Sequence, residues 1–190
     1  MEEARINRLF VIGGSAGSLD VILNIATVLP AEARSTFVII VHRKAGPDSL
    51  LTALLASRAT LPVKEVEDKE PILPGNIYLA PPDYHLLFEN EHLFSLDCSE
   101  KLHFSRPSID ITFESAAEVF GERVTGILLS GANEDGSEGL CSIQQAKGIT
   151  IAQDPASAEV GFMPKHAVDK NCAKYVFTPG EIARYIKENA

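Results

Sequence analysis

Apolar residues in this chain cluster in short continuous runs, and the runs alternate with stretches spaced for one face of a helix. Residues 8–13 form the first run and predict a buried strand. Residues 18–29 follow with Leu19, Ile22, Leu23, Ala26 and Leu29 on one side, the spacing of an amphipathic helix. Phe37 to Val41 is β-branched almost throughout, as expected of a central parallel strand covered on both faces. A helix from Asp48 to about Arg58 and a shorter strand from Pro62 to Val66 continue the alternation. Strand–helix repetition of this kind predicts a parallel sheet with right-handed crossovers.

The rhythm changes between Lys64 and Arg106. Pro71, Pro74-Gly75-Asn76 and Pro81-Pro82-Asp83 punctuate short strands predicted at 76–80, 84–89 and 92–97, with a hairpin turn at Glu89-Asn90-Glu91. The stretch is too small to bury a core of its own, so it reads as an antiparallel excursion at the sheet edge. After Pro107 the first pattern returns. A helix opens at Ser108, its N-cap, and runs to about Phe120. Arg123 to Leu129 is a strand, 137–147 a helix and Thr150 to Gln153 a strand. A helical stretch covers 163–169, Tyr175 to Phe177 is a short strand, and Pro179 starts the last helix. The fold class expected is α/β: a doubly wound, mainly parallel sheet with helices on both faces and a short antiparallel β excursion, in one domain over residues 1–190.

Composition narrows the function. The net charge of −9 argues against nucleic acid and against an anionic membrane surface as partners. The N-terminus has no apolar signal core and no later run reaches spanning length, so a cytoplasmic protein without membrane insertion is expected. Cys98, Cys141 and Cys172 are odd in number and lack C-x-x-C spacing, which reads as reduced structural cysteines.

Candidate chemistry gathers at the end of the first strand. Gly13, Ser15 and Gly17 fit G-x-S-x-G, the spacing of a nucleophile elbow, in which glycines allow a sharp turn and present the serine hydroxyl above the sheet. A glycine-rich turn after a first strand also serves as a phosphate or dinucleotide cradle. Here Ser15 and Ser18 occupy the second and third glycine positions of G-x-G-x-x-G, and no Gly-Lys-Ser/Thr follows. A serine nucleophile needs a base and a carboxylate. His85, His92 and His103 lie in the hairpin region and read as surface or edge-strand histidines, and His166 as a helix-surface residue. His42 directly follows the most apolar strand, on the rim where open α/β sheets bind ligands, and admits both a structural and a catalytic reading. Asp135 lies in the loop after the strand ending at Leu129, between Gly131 and Gly136. It is either the triad carboxylate or an N-cap of the helix that follows. Glu134 and Glu138 stand beside it without an accompanying histidine, and no metal site is expected.

These residues and their neighbours resemble the catalytic domain of the chemotaxis protein-glutamate methylesterases, the CheB family. The similar segments are Ile12-Gly-Gly-Ser-Ala-Gly17, Val41-His42, Leu73-Pro-Gly-Asn-Ile-Tyr-Leu-Ala-Pro81 and Arg106-Pro-Ser-Ile-Asp110. Leu129-Ser-Gly-Ala-Asn-Glu-Asp-Gly136, Ala152-Gln-Asp-Pro-Ala-Ser157 and Gly161-Phe-Met-Pro164 complete the set. The resemblance implies Ser15, His42 and Asp135 as a catalytic triad. It implies hydrolysis of γ-glutamyl methyl esters on the cytoplasmic region of chemoreceptors, deamidation of certain glutamines, and no cofactor. Ala16, Gly131 and Ala132 are assigned to the oxyanion hole and pocket, and Arg43, Arg106 and Met163 to substrate binding. Arg43 and Lys44 stand where the family has Met-Pro, Ala16-Gly17-Ser18 where it has Thr-Gly-Gly, and Ala132-Asn133 where it has methionine and glycine. These departures line the implied pocket and bear on substrate identity. The family's usual receiver domain is not expected ahead of the first strand, and three readings stay open: constitutive activity, regulation by a separate receiver or regulatory chain, or a place within a larger hybrid protein. The alternatives are an esterase of another protein or small molecule, a degenerate regulatory homologue, and a nucleotide-binding module.

Overall fold

The computed structural model describes residues 6–43 and 50–190. The predicted helix start at Asp48 and the cation Lys44 lie outside the described residues. Seven parallel strands form one sheet: β1 (Leu9–Gly14), β2 (Thr36–Val41), β3 (Val63–Glu65), β4 (Ile77–Leu79), β7 (Val124–Leu128), β8 (Ile149–Gln153) and β9 (Tyr175–Phe177). Their order is β3-β4-β2-β1-β7-β8-β9. Among the described residues six α-helices accompany them: α1 (Leu19–Val28), α2 (Leu50–Arg58), α3 (Ile109–Phe120), α4 (Ser137–Gln145), α5 (Phe162–Asp169) and α6 (Pro179–Asn189).

Strand alternation sorts the apolar runs onto two faces. Leu9, Val11, Val38, Ile40, Val124 and Leu128 meet Ile109, Phe113 and Phe120 of α3, Leu140 and Ile143 of α4, and Met163 of α5. Phe10, Ile12, Phe37, Ile39, Ile127 and Ile151 point the other way, onto Ile22 and Ile25 of α1, Leu55 of α2, and Ile182 and Ile186 of α6. Both faces of the central strands are thus covered, which is why these strands read as unbroken apolar runs.

Two expectations about the middle of the chain change. The strand predicted at 76–80 is not part of the antiparallel excursion. As β4 it lies parallel between β2 and β3, pairing Phe37 with Ile77 and Val63 with Ile77. The hairpin β5 (His85–Asn90) and β6 (Leu93–Asp97) is a separate two-stranded sheet. It packs Leu86, Phe88 and Phe94 against the α3 face and does not extend the sheet edge. Leu86 and Phe88 need that cover because one face of an isolated hairpin is apolar.

The cysteine expectation is also overturned for two of the three. Cys141 of α4 and Cys172 beyond α5 are joined in a disulfide with Cα atoms 4.6 Å apart. Helix α4 packs against α5, which brings residues 31 apart in sequence together. Cys98 is free and exposed.

The sheet order places the switch in strand direction of travel beside β1. The chain moves from β1 through β2 toward β3 on one side, then returns to lay β7 on the other side of β1. Crevices at such points, beyond the carboxyl ends of the strands, are where open α/β sheets bind ligands.

Candidate active site

Gly14 pairs with Val41 and Gly13 with Leu128, so β1, β2 and β7 end level with one another. The ladder runs on into the loops, with the His42 N–H on Gly14 O at 3.3 Å and the Leu129 N–H on Gly13 O at 2.8 Å. Ser15, His42 and the 130–136 loop therefore leave the sheet at the same rim.

The turn carrying Ser15 is pinned from both sides. The Ser15 N–H donates to Ser130 O at 2.9 Å, Ser18 Oγ to Ser15 O at 2.7 Å, and Ser130 Oγ to Ala16 O at 2.7 Å. Gly17 has φ +77° and packs so closely that a Cβ would meet Glu159 Cβ at 2.5 Å, so no other residue fits the turn. The Ser15 and Ser18 N–H groups both turn inward, which removes two of the donors a phosphate cradle would use.

Gly131 lies against the serine. A Cβ there would stand 3.1 Å from Ser15 Cβ and 2.4 Å from Met163 Cε. Its N–H donates to Val160 O at 3.0 Å, so Gly131 contributes space to the pocket and not an oxyanion donor. Ala16 and Ala132 are exposed, and among the described residues neither N–H makes a backbone hydrogen bond. Met163 is fully buried behind Gly131, which corrects its assignment to the substrate surface: it props the loop.

Asp135 is fully buried and does not cap the helix that follows it. Its carboxylate instead sits on the N-terminus of α3. Oδ1 accepts from Ser108 Oγ and from the Asp110 N–H, both at 2.9 Å, and Oδ2 accepts from the Ile109 N–H at 2.8 Å. His42 Nε2 completes the set at 2.6 Å from Oδ2. Burial pushes the carboxyl group up, but the His42 contact and the two backbone N–H groups outweigh it and hold Asp135 below the ordinary range. A carboxylate carries no proton, so Nε2–H is the donor. The imidazole is thereby fixed in one tautomer with Nδ1 as its free lone pair.

His85 is not a surface histidine. It is fully buried, with Nε2 2.9 Å from Glu100 O, and its Nδ1 accepts the Ser108 N–H at 3.1 Å. It thus holds the N-cap serine that in turn holds Asp135. The signal for this lay in Ser108-Ile-Asp110, where a cap serine begins a helix, but nothing in the sequence joins that cap to residue 135.

A cavity of about 340 Å³ opens beside the imidazole, lined by His42, Arg43, Asp83, Lys101, Phe104 and Arg106 among others. Arg43 is ion-paired with Glu65. Arg106 Nη1 donates to Cys98 O and Ser99 O at 2.7 Å each, so it braces the 98–106 loop as well as lining the cavity.

Behind the site, the reading that no histidine accompanies Glu134 fails in space. His103 Nδ1 and His166 Nε2 approach Glu134 at 3.4 and 3.8 Å. His103, Asp110 and Asp135 also bring one ligand-type atom each within 4.8 Å of one another. All four hydrogen-bonding directions of Asp135 are already taken, so a cation there would displace the donors that orient His42. Asp110 Oδ2 is buried without a hydrogen-bond partner: His103 Nε2 is 3.3 Å away but not aligned to donate.

The family model described as CheB methylesterase matches residues 10–186. The chain belongs to the CheB methylesterase family. A putative protein-glutamate methylesterase/protein-glutamine glutaminase of Leptospira interrogans is 40% identical over 173 residues, covering 91% of this chain and 90% of that protein. The protein-glutamate methylesterase/protein-glutamine glutaminase of Thermotoga maritima is 33% identical over 187 residues, and the match covers 54% of that longer protein. The crystal structure of the Thermotoga maritima CheB methylesterase catalytic domain superposes with a TM-score of 0.92 at 32% identity, covering 97% of this chain and 99% of that one. The CheB catalytic-domain architecture is therefore the architecture of this chain, including the parallel sheet with its separate antiparallel hairpin.

Proposed function

We propose that this chain is a serine hydrolase of the protein-glutamate methylesterase type, acting on γ-glutamyl methyl esters of chemoreceptor cytoplasmic helices. The observation that carries the reading is the His42–Asp135 pair at 2.6 Å, set on the same rim as the Ser15 turn. Names shared with the family's curated members, methylesterase and glutaminase, support the substrate class.

In this reading Ser15 Oγ attacks the ester carbonyl while His42 Nδ1 takes its proton. The usual triad is reversed in which ring nitrogen does what, because Nε2 is held by Asp135. The tetrahedral oxyanion is met by the Ala16 and Ala132 N–H groups, each worth about 3 kcal/mol of transition-state stabilisation. Collapse breaks the ester C–O bond, the departing methoxide oxygen takes the proton from His42 and leaves as methanol, and water then repeats the sequence on the acyl-enzyme. A glutamine side chain enters the same path with ammonia leaving. Asp135 stays ionised throughout and stabilises the imidazolium. Arg43, paired with Glu65, and Arg106 line the cavity and face an acidic receptor segment in this reading.

Two measurements test this. Wild-type protein releases methanol from a γ-glutamyl methyl ester, and Ser15→Ala abolishes release while keeping its fold. A fluorophosphonate probe labels Ser15 in the wild type and nothing in the variant. Turnover by Ser15→Ala at the wild-type rate would end the reading.

A further inference from the structure

His103, Glu134, Glu138, His166 and Lys170 line a second cavity, of about 150 Å³, that shares no residue with the one beside His42. Three segments far apart in sequence meet there: the 102–105 turn, the loop entering α4, and α5. The turn is closed by the Ser105 N–H on Leu102 O at 2.8 Å, and the Asn133 side-chain amide donates to His103 O at 3.4 Å. His103 is thereby held against the loop that carries Glu134. On α5 the His166 ring stacks on Phe162, with 8° between the planes, and its Nδ1 lies 3.1 Å from Ser137 Oγ. Sequence spacing set no histidine beside Glu134; the fold sets two.

His103 Nδ1 is 3.4 Å from Glu134 Oε1 and His166 Nε2 is 3.8 Å from Oε2, and neither contact is aligned as a hydrogen bond. Two donor atoms bound to one zinc ion at about 2.0–2.1 Å stand about 3.3 Å apart across a tetrahedral angle. The His103 contact already has that spacing. The other closes by rotation of the Glu134 side chain, which is 52% exposed. Behind His103, Asp110 Oδ2 is buried without a hydrogen-bond partner, 3.3 Å from Nε2. An orphaned buried carboxylate oxygen is costly. With an ion on Nδ1, Nε2 carries the hydrogen, and a small turn of the ring gives that oxygen its donor. Metal-bound imidazoles ordinarily have such an outer partner, and Ser137 Oγ stands in the same relation to His166. Lys170 is the cation among the lining residues, and its charge is already matched by Glu138.

We infer that His103, Glu134 and His166 form a zinc-binding site, with Asp110 and Ser137 orienting the two imidazoles. Two imidazoles and a carboxylate suit a borderline ion such as zinc, whereas magnesium and calcium prefer an all-oxygen set. The histidines are 26% and 30% exposed, so an ion reaches them from solvent. Asp135 takes no part, because Ser108, Ile109, Asp110 and His42 already occupy its oxygens. A bound ion cross-links the 102–105 turn, the loop that carries Asp135, and α5. No ligand belongs to the Ser15, His42 and Asp135 set, so the zinc site and the esterase reading stand or fall separately.

The test strips the full chain of metal with a chelator and titrates it with zinc chloride near neutral pH, read by calorimetry and by Tm. One zinc should bind per chain and raise Tm, and magnesium at the same concentration should leave Tm unchanged. Asp110→Asn should weaken zinc binding by about 10- to 100-fold, as loss of an orienting partner does, and His166→Ala or Glu134→Gln by more. Both of the latter positions are partly exposed, and circular dichroism checks that each variant folds. Cobalt in place of zinc should give the visible absorption of a four-coordinate ion in the wild type and lose it in His166→Ala. Absence of zinc binding overturns the inference and leaves the contacts as an ion-pair cluster. Affinity unchanged in both His166→Ala and Glu134→Gln places the ion elsewhere, on His92 or Cys98 for instance, and also overturns it. So does a Tm rise with magnesium equal to that with zinc.

Discussion

His42 donates through Nε2 to Asp135 Oδ2 at 2.6 Å, across 93 residues of sequence, and that oxygen also receives the first backbone N–H of α3. The imidazole is thus oriented by a carboxylate that is itself oriented by a helix terminus. A positive helix end favours the ionised carboxylate, and the ionised carboxylate favours one imidazole tautomer. Asp135→Asn should keep the fold but supply an amide that cannot accept from every present donor. Turnover should fall by about 10⁴-fold, the scale seen when a triad carboxylate becomes an amide. Retention of more than a tenth of the wild-type kcat would show that the pairing is structural only.

Ser108 links two functions in one hydroxyl. It donates to Asp135 Oδ1 and accepts the Ile111 N–H as N-cap of α3. Ser108→Ala should lower stability by about 1–2 kcal/mol in urea denaturation. Its effect on kcat should be smaller than that of Asp135→Asn, because two backbone N–H groups still hold the carboxylate. A stability change within error would mean the cap is dispensable.

Asp110 behaves in the opposite sense to Asp135. Burial pushes its carboxyl group up to about 7, with the Gly139 N–H opposing and the Asp135 charge adding. The unfolded chain releases this proton near pH 4. Between about pH 4 and pH 7 the folded state therefore binds the extra proton, and stability declines as pH rises through that window before levelling off. Asp110→Asn keeps an acceptor for Gly139 and cannot ionise. Its Tm relative to wild type should improve from pH 5 to pH 8, read by calorimetry. A difference independent of pH would show that Asp110 ionises as in the unfolded chain.

Gly131→Ala puts a methyl group 3.1 Å from Ser15 Cβ and 2.4 Å from Met163 Cε. Overpacking of this kind costs about 1–3 kcal/mol and shifts the serine. Turnover should drop well beyond the stability loss. Met163→Ala in the same chain opens room behind the loop and should restore part of both, a non-additive pair expected of residues in contact. Additive effects would separate the loop position from the methionine.

Much of this protein follows from local pattern. The strand and helix order, the central strands β1, β2 and β7, and the serine, histidine and aspartate at their ends were legible because periodicity and glycine placement are short-range properties. Burial on both faces wrote itself into runs such as Phe37 to Val41. Other features required the chain to close on itself. The insertion of β4 between β2 and β3, the seating of the hairpin on α3 and the Cys141–Cys172 bond depend on which faces meet. So do the burial of His85 and the capping of α3 by a carboxylate from a later loop. Hydrogen bonds and apolar contacts between distant segments leave no periodic trace, since any donor sequence can meet any acceptor once the sheet order is set. The residues of the candidate site could be read one at a time from the sequence; which nitrogen of His42 faces Asp135 was decided only by the packing of α3 against β1 and β7.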